Sequence, residues 1–204
     1  MATHTARFLA GAADPARFPQ LSYPEIAFAG RSNVGKSSLL NRLVGQRGLA
    51  RVSKTPGRTQ QVNFFLVDDR ITFVDLPGYG FARVPPAIHS QWKRLVESYL
   101  SGRKNLRAVV IIVDLRRGIE DDDRQLCEYL GALGVPVLLV ATKSDKLAYG
   151  ERQRQTRALA QTCLAGIVAV LVCSAHRGEG IPQLWKRLDA LAQRSRVKWM
   201  PAES

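Results

Sequence analysis

The chain is short of the features that mark several protein classes. It has three cysteines, Cys127, Cys163 and Cys173, in 204 residues. Their odd number and wide spacing exclude a disulfide framework and a clustered metal site, and predict reduced, buried thiols of a cytoplasmic protein. Long apolar runs are also missing. The longest, near 108–115 and 164–173, are strand-sized or broken, so no membrane partner is expected. The first thirteen residues carry Arg7 and little continuous apolar sequence, and no secretory signal is expected from them. There is no internal repeat and no interior linker, which predicts one domain with loose ends in the first twenty residues and the last few. Acidic residues are scarce: 17 Asp and Glu face 30 Lys and Arg, a net charge of +13. That excess is larger than a nucleotide site needs and points to nucleic acid, against the plainer alternative of a solvated basic surface.

What the chain does have is a phosphate loop. Residues 30–38 read Gly30-Arg31-Ser32-Asn33-Val34-Gly35-Lys36-Ser37-Ser38, a complete G-x-x-x-x-G-K-[ST] pattern. Its glycines permit a tight turn and close approach, backbone N–H groups surround a polyphosphate, Lys36 reaches the β and γ phosphates, and Ser37 offers its hydroxyl to Mg²⁺. The apolar run Glu25–Ala29 precedes it. Leu39, Leu40 and Leu43 follow at helical spacing, closed by Gly45. Strand, loop and helix in that order place a helix N-terminus under the phosphates.

Two further motifs follow apolar strands. Asp75-Leu76-Pro77-Gly78 comes after Ile71–Val74; the carboxylate can hold Mg²⁺ through water, and the Gly78 N–H can meet a γ phosphate. Thr142-Lys143-Ser144-Asp145 comes after Val137–Val140. Asp145 can accept from the ring N–H and exocyclic amine of guanine, a donor pair that adenine lacks, while the Lys143 stem lies along the base. This favours GTP over ATP. Cys173-Ser174-Ala175 follows the last strand and can present backbone N–H groups to the guanine oxygen.

The ordered set GRSNVGKS, DLPG, TKSD and CSA resembles the Ras-like GTPases. Ser53–Phe65, which contains Thr55-Pro56-Gly57-Arg58-Thr59-Gln60-Gln61 and Asn63-Phe64-Phe65, together with Asp75–Ala82 resembles the EngB family. The likeness spans roughly 22–196. It implies a small bacterial GTPase linked to assembly of the large ribosomal subunit, with a role in cell division and septation. It also implies that Thr59 is the switch threonine on Mg²⁺, that Gly57–Gln61 form switch I, and that switch II begins at Gly78. Thr142 stands where most GTPases have asparagine, which predicts a weaker purine-side contact. Tyr79 stands where many have a water-orienting glutamine, which predicts slow unaided hydrolysis. An asparagine at position 33 in related GTPases helps hold a potassium ion; a turn residue tolerant of unusual dihedrals is the alternative.

The alternation of strands and helices predicts an α/β fold: one Ras-like P-loop domain with a mainly parallel six-stranded sheet, one antiparallel strand and helices on both faces. Arg47, Arg51, Lys54 and Arg58 crowd the first switch. Lys93, Arg94, Arg103, Lys104 and Arg107 follow the second, and Arg187, Arg194, Arg196 and Lys198 line the last helix. Trp92 and Trp185 are expected in the core. The sequence favours a GTP-binding switch, expected as a monomer, that acts on ribosomal RNA or a ribosomal precursor. A P-loop kinase or ATPase is opposed by Asp145 and by the lack of a lid motif. An RNA-binding scaffold that holds nucleotide without hydrolysing it remains the alternative.

Overall fold

A computed structural model describes residues 4–50, 61–79, 86–162, 164 and 166–194, with the backbone only for 86–89, 91 and 92. Seven strands form one sheet in the order β1-β3-β4-β2-β5-β6-β7. The strands are β1 (Ala6–Ala12), β2 (Glu25–Gly30), β3 (Val62–Val67), β4 (Ile71–Asp75), β5 (Leu106–Asp114), β6 (Val137–Thr142) and β7 (Ile167–Val172). Five helices accompany them: α1 (Lys36–Val44), α2 (Pro86–Gly102), α3 (Asp121–Ala132), α4 (Tyr149–Ala160) and α5 (Ile181–Ala192). None of the described helices is long and apolar enough to cross a membrane.

The sheet holds seven strands rather than the expected six, and the extra one comes from the segment expected as a loose extension. β1 pairs antiparallel with β3, from Ala6 opposite Val67 to Ala12 opposite Val62, with a register shift between Phe8 and Ala10. Its sequence, ARFLAGA, has little β propensity of its own. The strand forms because β3 offers an unpaired edge and because its start is tied down. Nδ1 of His4 lies 2.6 Å from Oδ2 of Asp68, and its ring stacks on Trp185 at 4.0 Å between centroids. Only β3 runs against the rest, since β3 is antiparallel to both of its neighbours. It meets β4 through a tight turn in which Asp68 and Asp69 both take positive φ, 49° and 48°, as a two-residue hairpin of right-handed twist requires.

The parallel strands are buried on both faces and read as unbroken apolar runs such as VLLVAT and LRAVVIIVD. Alternate residues supply two cores. Ile26, Phe28, Phe73, Val110 and Val140 face α1 and α5, where Trp185 is buried and donates its indole N–H to Leu43 O at 2.8 Å. Ala27, Val74, Val109, Ile111 and Leu139 face α2 and α3 with Tyr99, Leu100, Cys127 and Leu130. Burial pushes the thiols of Cys127 and Cys173 up to about 11 and about 12, so both stay protonated and inert. Cys163 and Trp199 lie outside the described residues, as does the Trp92 side chain.

A fully buried charge closes this packing at one end of β2. Glu25, fully buried at the start of β2, accepts from the Tyr99 hydroxyl at 2.9 Å and from Nε of Arg103 at 3.1 Å, with a second Arg103 bond to its other oxygen. Removing Arg103 alone would strand that carboxylate. Arg103→Ala is therefore expected to cost about 3 kcal/mol or more of folding stability. Urea unfolding measures it, and an unshifted midpoint would contradict the role given to this pair.

Candidate nucleotide site

β2 forms parallel ladders with both β4 and β5; it leads into α1 on one face of the sheet, whereas β4 and β5 lead into α2 and α3 on the other, so a crevice opens at the C-terminal strand ends. The motifs read from the sequence that lie within the described residues fall there. Gly30 ends β2, Asp75 ends β4, Asp114 ends β5, Thr142 ends β6, and Cys173 follows β7.

The phosphate loop fits only with glycine at two points. A Cβ on Gly30 would lie 2.8 Å from Ile112 O, inside β5. Gly35 caps α1 at φ 104°, a left-handed conformation that opens the helix N-terminus directly onto the loop. Val34 is buried in the core, so it presents only backbone; Ser38 is exposed on α1. Lys36, on the first turn, is ion-paired with Oδ1 of Asp75, and both side chains are 12% exposed. Leu76 also points into the core, and its N–H is held by Phe28 O at 3.0 Å. Gly78 packs on the loop itself: a Cβ there would sit 3.3 Å from Oγ of Ser32 and 3.4 Å from Gly30 O.

The second half of the site is tied to the first. Oγ1 of Thr142 is 2.5 Å from Val34 O and 3.1 Å from Val113 O; with one proton to give, it donates across the shorter contact. Lys143, at φ 61°, runs its stem back over the loop to place Nζ 2.5 Å from Asn33 O and 3.1 Å from Oδ2 of Asp114. Ser144 is buried and begins the turn that carries Asp145. Burial alone would raise the Asp114 carboxyl. Hydrogen bonds from Arg116 at 2.9 and 2.7 Å and from Lys143 outweigh it and bring it down to about 2. Arg116 is thus spent on Asp114 rather than aimed at a phosphate.

Asp145 accepts at Oδ1 from the Ser174 hydroxyl at 2.6 Å, and that bond holds its carboxyl below the ordinary range. The CSA segment narrows on inspection. Cys173 N–H is used by Ala141 O at 2.7 Å and Ser174 N–H by Glu179 O at 3.0 Å. Among the described residues no backbone carbonyl takes the Ala175 N–H, which makes it the donor available to a base oxygen.

Two residues read as ligand contacts have other occupations. The Arg31 guanidinium pairs with Glu120 at the start of α3, with Oδ2 of Asp122 4.0 Å away. Gln61 is exposed, with its side-chain oxygen beside Gly11 of β1. Gly57, Arg58, Thr59 and Gln60, and with them Arg51 and Lys54, lie outside the described residues. Asn33 takes φ 65°, which fits the turn reading. Asp114 was missed, and Ser174 was read for its backbone alone and not as a partner of Asp145. Asp114 is the last residue of β5 and Ser174 lies two residues beyond β7, where their polarity at the end of an apolar run was the available signal.

A carboxylate, Asp145, at the same crevice as the phosphate-loop motif is the observation that bears on the class, and the relatives agree. The family described as "50S ribosome-binding GTPase" matches residues 25–143. A "Probable GTP-binding protein EngB" from Citrifermentans bemidjiense is 46% identical over 202 residues, 97% of this chain and 94% of the relative. The chain belongs to the EngB family of GTP-binding proteins. Its EngB relative in Streptococcus sanguinis is 50% identical over 157 residues, 77% of this chain and 80% of that one. A crystal structure of a probable EngB superposes with TM-score 0.66 at 27% identity, covering 83% of this chain and 98% of that chain. A GDP-bound S. thermophilus NFeoB mutant gives 0.58 at 26% identity, over 89% of this chain and 66% of that one. The fold is that of a Ras-like GTPase, and the protein is a GTPase.

Asp145→Asn is expected to move base preference from guanine toward xanthine nucleotides by about 100-fold, because the amide donates where the carboxylate accepted. Competition binding measures it, and an unchanged preference would remove Asp145 from base selection. Lys36→Ala should weaken triphosphate binding with or without magnesium, whereas Ser37→Ala should matter less once magnesium is chelated. Equal losses for Ser37→Ala in both conditions would refute a metal-linked hydroxyl.

Proposed function

We propose that this protein is a GTP-driven switch that acts in assembly of the large ribosomal subunit, on ribosomal RNA or a precursor particle, and is needed for normal cell division and septation. The observation that carries the switch reading is the joining of two half-sites: Thr142 and Lys143, next to the base-selecting Asp145, are bonded directly to the carbonyls of Val34 and Asn33 in the phosphate loop. One ligand with a guanine at one end and phosphates at the other spans them. The ribosomal reading draws on the +13 charge and on the description of the matched family.

In this reading Asp145 takes the guanine edge, Ala175 meets its oxygen, and the Lys143 stem covers the base. Lys36 and the N–H groups from Gly35 to Ser38 hold the phosphates, and the Gly78 N–H meets the γ phosphate. Ser37, Asp75 and Thr59 would hold Mg²⁺. The donor set fits it: a hydroxyl and a carboxylate are hard oxygen ligands, and the described residues contain no group of three or more His, Cys, Asp or Glu that would build a dedicated cage. When bound, the cation neutralises charge on the phosphates. Asn33 would supply its amide oxygen to a potassium ion. Thr59 and the rest of Gly57–Gln61 respond to the γ phosphate, and the basic residues around them couple that response to RNA. Hydrolysis by the isolated protein is slow, because the Tyr79 hydroxyl is engaged by Asp123 at 2.7 Å and orients no water. The protein works in the cytoplasm as a monomer.

Sedimentation with purified 50S particles tests the proposal. Binding should be tighter with a GTP analogue than with GDP, and should fall steeply as salt rises in both states. Replacing Arg51, Lys54 and Arg58 together with alanine should shrink the nucleotide difference. Equal binding with either nucleotide across the salt series would defeat the switch reading.

A further inference from the structure

Tyr79 follows the DLPG turn directly and is 6% exposed. Its main chain pairs with the phosphate loop on both sides. The Tyr79 N–H donates to Gly30 O at 3.4 Å, and the Tyr79 carbonyl accepts from Ser32 N–H at 3.1 Å. Its hydroxyl crosses to α3 and donates to Oδ1 of Asp123. Asp123 is itself 2% exposed, and its second oxygen accepts the Glu120 N–H at 2.9 Å. The carboxylate is therefore fixed by the first turn of its own helix and cannot follow the tyrosine if the latter moves. One residue pair over, Glu120 holds Arg31 of the phosphate loop. Loop and switch turn are moored by separate side chains to the same helix start.

This arrangement is costly to keep unless it does something. Burial pushes the Asp123 carboxyl up to about 6 even with the tyrosine bond opposing it, so an apolar pair would have been easier to hold there. Next to the pair is Gly78, the residue before Tyr79, which has no side chain to anchor itself. Its backbone is seated close to Ser32 and Gly30 O of the phosphate loop and is joined directly to the pinned Tyr79. We propose that Tyr79, locked by Asp123, is a positioning residue for GTP hydrolysis, holding the Gly78 N–H in register with the phosphate loop and thus with the γ phosphate. The inference rests on the role given to Gly78 above. It assigns the tyrosine that replaces the water-orienting glutamine to geometry rather than to water chemistry.

Tyr79→Phe removes the hydroxyl alone, leaving Asp123 and the helix cap in place. Tyr99→Phe is a matched control, since it removes another buried tyrosine–carboxylate bond, to Glu25 at the opposite end of β2. Single-turnover GTP hydrolysis and GDP affinity are measured for the wild type, both single variants, Asp123→Asn and the double variant Tyr79→Phe/Asp123→Asn. Tyr79→Phe should slow hydrolysis about 10-fold, the scale of one lost positioning bond, with GDP affinity within about twofold of wild type. Tyr99→Phe should leave the rate within about twofold. Adding Asp123→Asn to Tyr79→Phe should lower the rate by less than about twofold more, because the two act as one device. Equal effects of the two tyrosine changes would overturn the proposal, as would losses that multiply in the double variant. A wild-type protein that bound GDP but did not turn over GTP would instead overturn the site reading beneath it.

Discussion

A ligand with a base at one end and phosphates at the other can be recognised only if the protein fixes the distance between its two half-sites. Here that distance is held by the Thr142 hydroxyl, 2.5 Å from Val34 O, and by the Lys143 ammonium, 2.5 Å from Asn33 O. Both bonds run from the end of β6 to a loop more than a hundred residues earlier. They bridge the parallel strands at the level where the ladder ends and backbone carbonyls would otherwise be orphaned. Threonine at 142 does not sacrifice this bridge: a hydroxyl reaches the carbonyl as an amide would, and it stays 2% exposed while doing so. The expected loss at that position is thus confined to contact with the base and leaves the frame intact.

The charged groups buried in the apolar sheet gather at its two ends. Glu25, Tyr99 and Arg103 close the N-terminal end of β2. Asp114, Arg116 and Lys143 organise the C-terminal end of β5 and β6. Between them the strands carry only hydrocarbon, which is why the sheet can be rigid in the middle and chemically specific at its rim. The first set supplies stability without touching the site, and the second orients Lys143 by giving its ammonium an acceptor, Asp114, that has already lost its proton.

The parallel core and the site motifs were legible because each carries a local signature. VLLVAT and LRAVVIIVD admit only a doubly covered strand, and α1 begins and ends where its glycines say it should. β1 was illegible for the opposite reason. ARFLAGA gains its strand from the bare edge of β3 and from His4 seated on Trp185, long-range facts that no window of sequence contains. Arg31 shows the same limit inside a motif. The pattern fixes where its backbone goes, but its guanidinium is drawn to Glu120, 89 residues away, by a helix start whose position depends on the whole sheet. Tyr79 could be read as an absence of glutamine but not as a bond to Asp123.

The Lys36–Asp75 ion pair carries a thermodynamic consequence. Both groups are largely shielded from water, so each is the other's principal counterion. Any anion that draws the ammonium away leaves a carboxylate stranded beside fresh negative charge. Any cation that claims the carboxylate frees the ammonium to seek an anion. An anion at Lys36 and a cation at Asp75 would therefore bind with positive cooperativity that originates in the protein and not only in their attraction for one another, and the coupling would be the same whichever arrived first. The pair would then act as a coincidence detector, resisting either partner alone and yielding to both together.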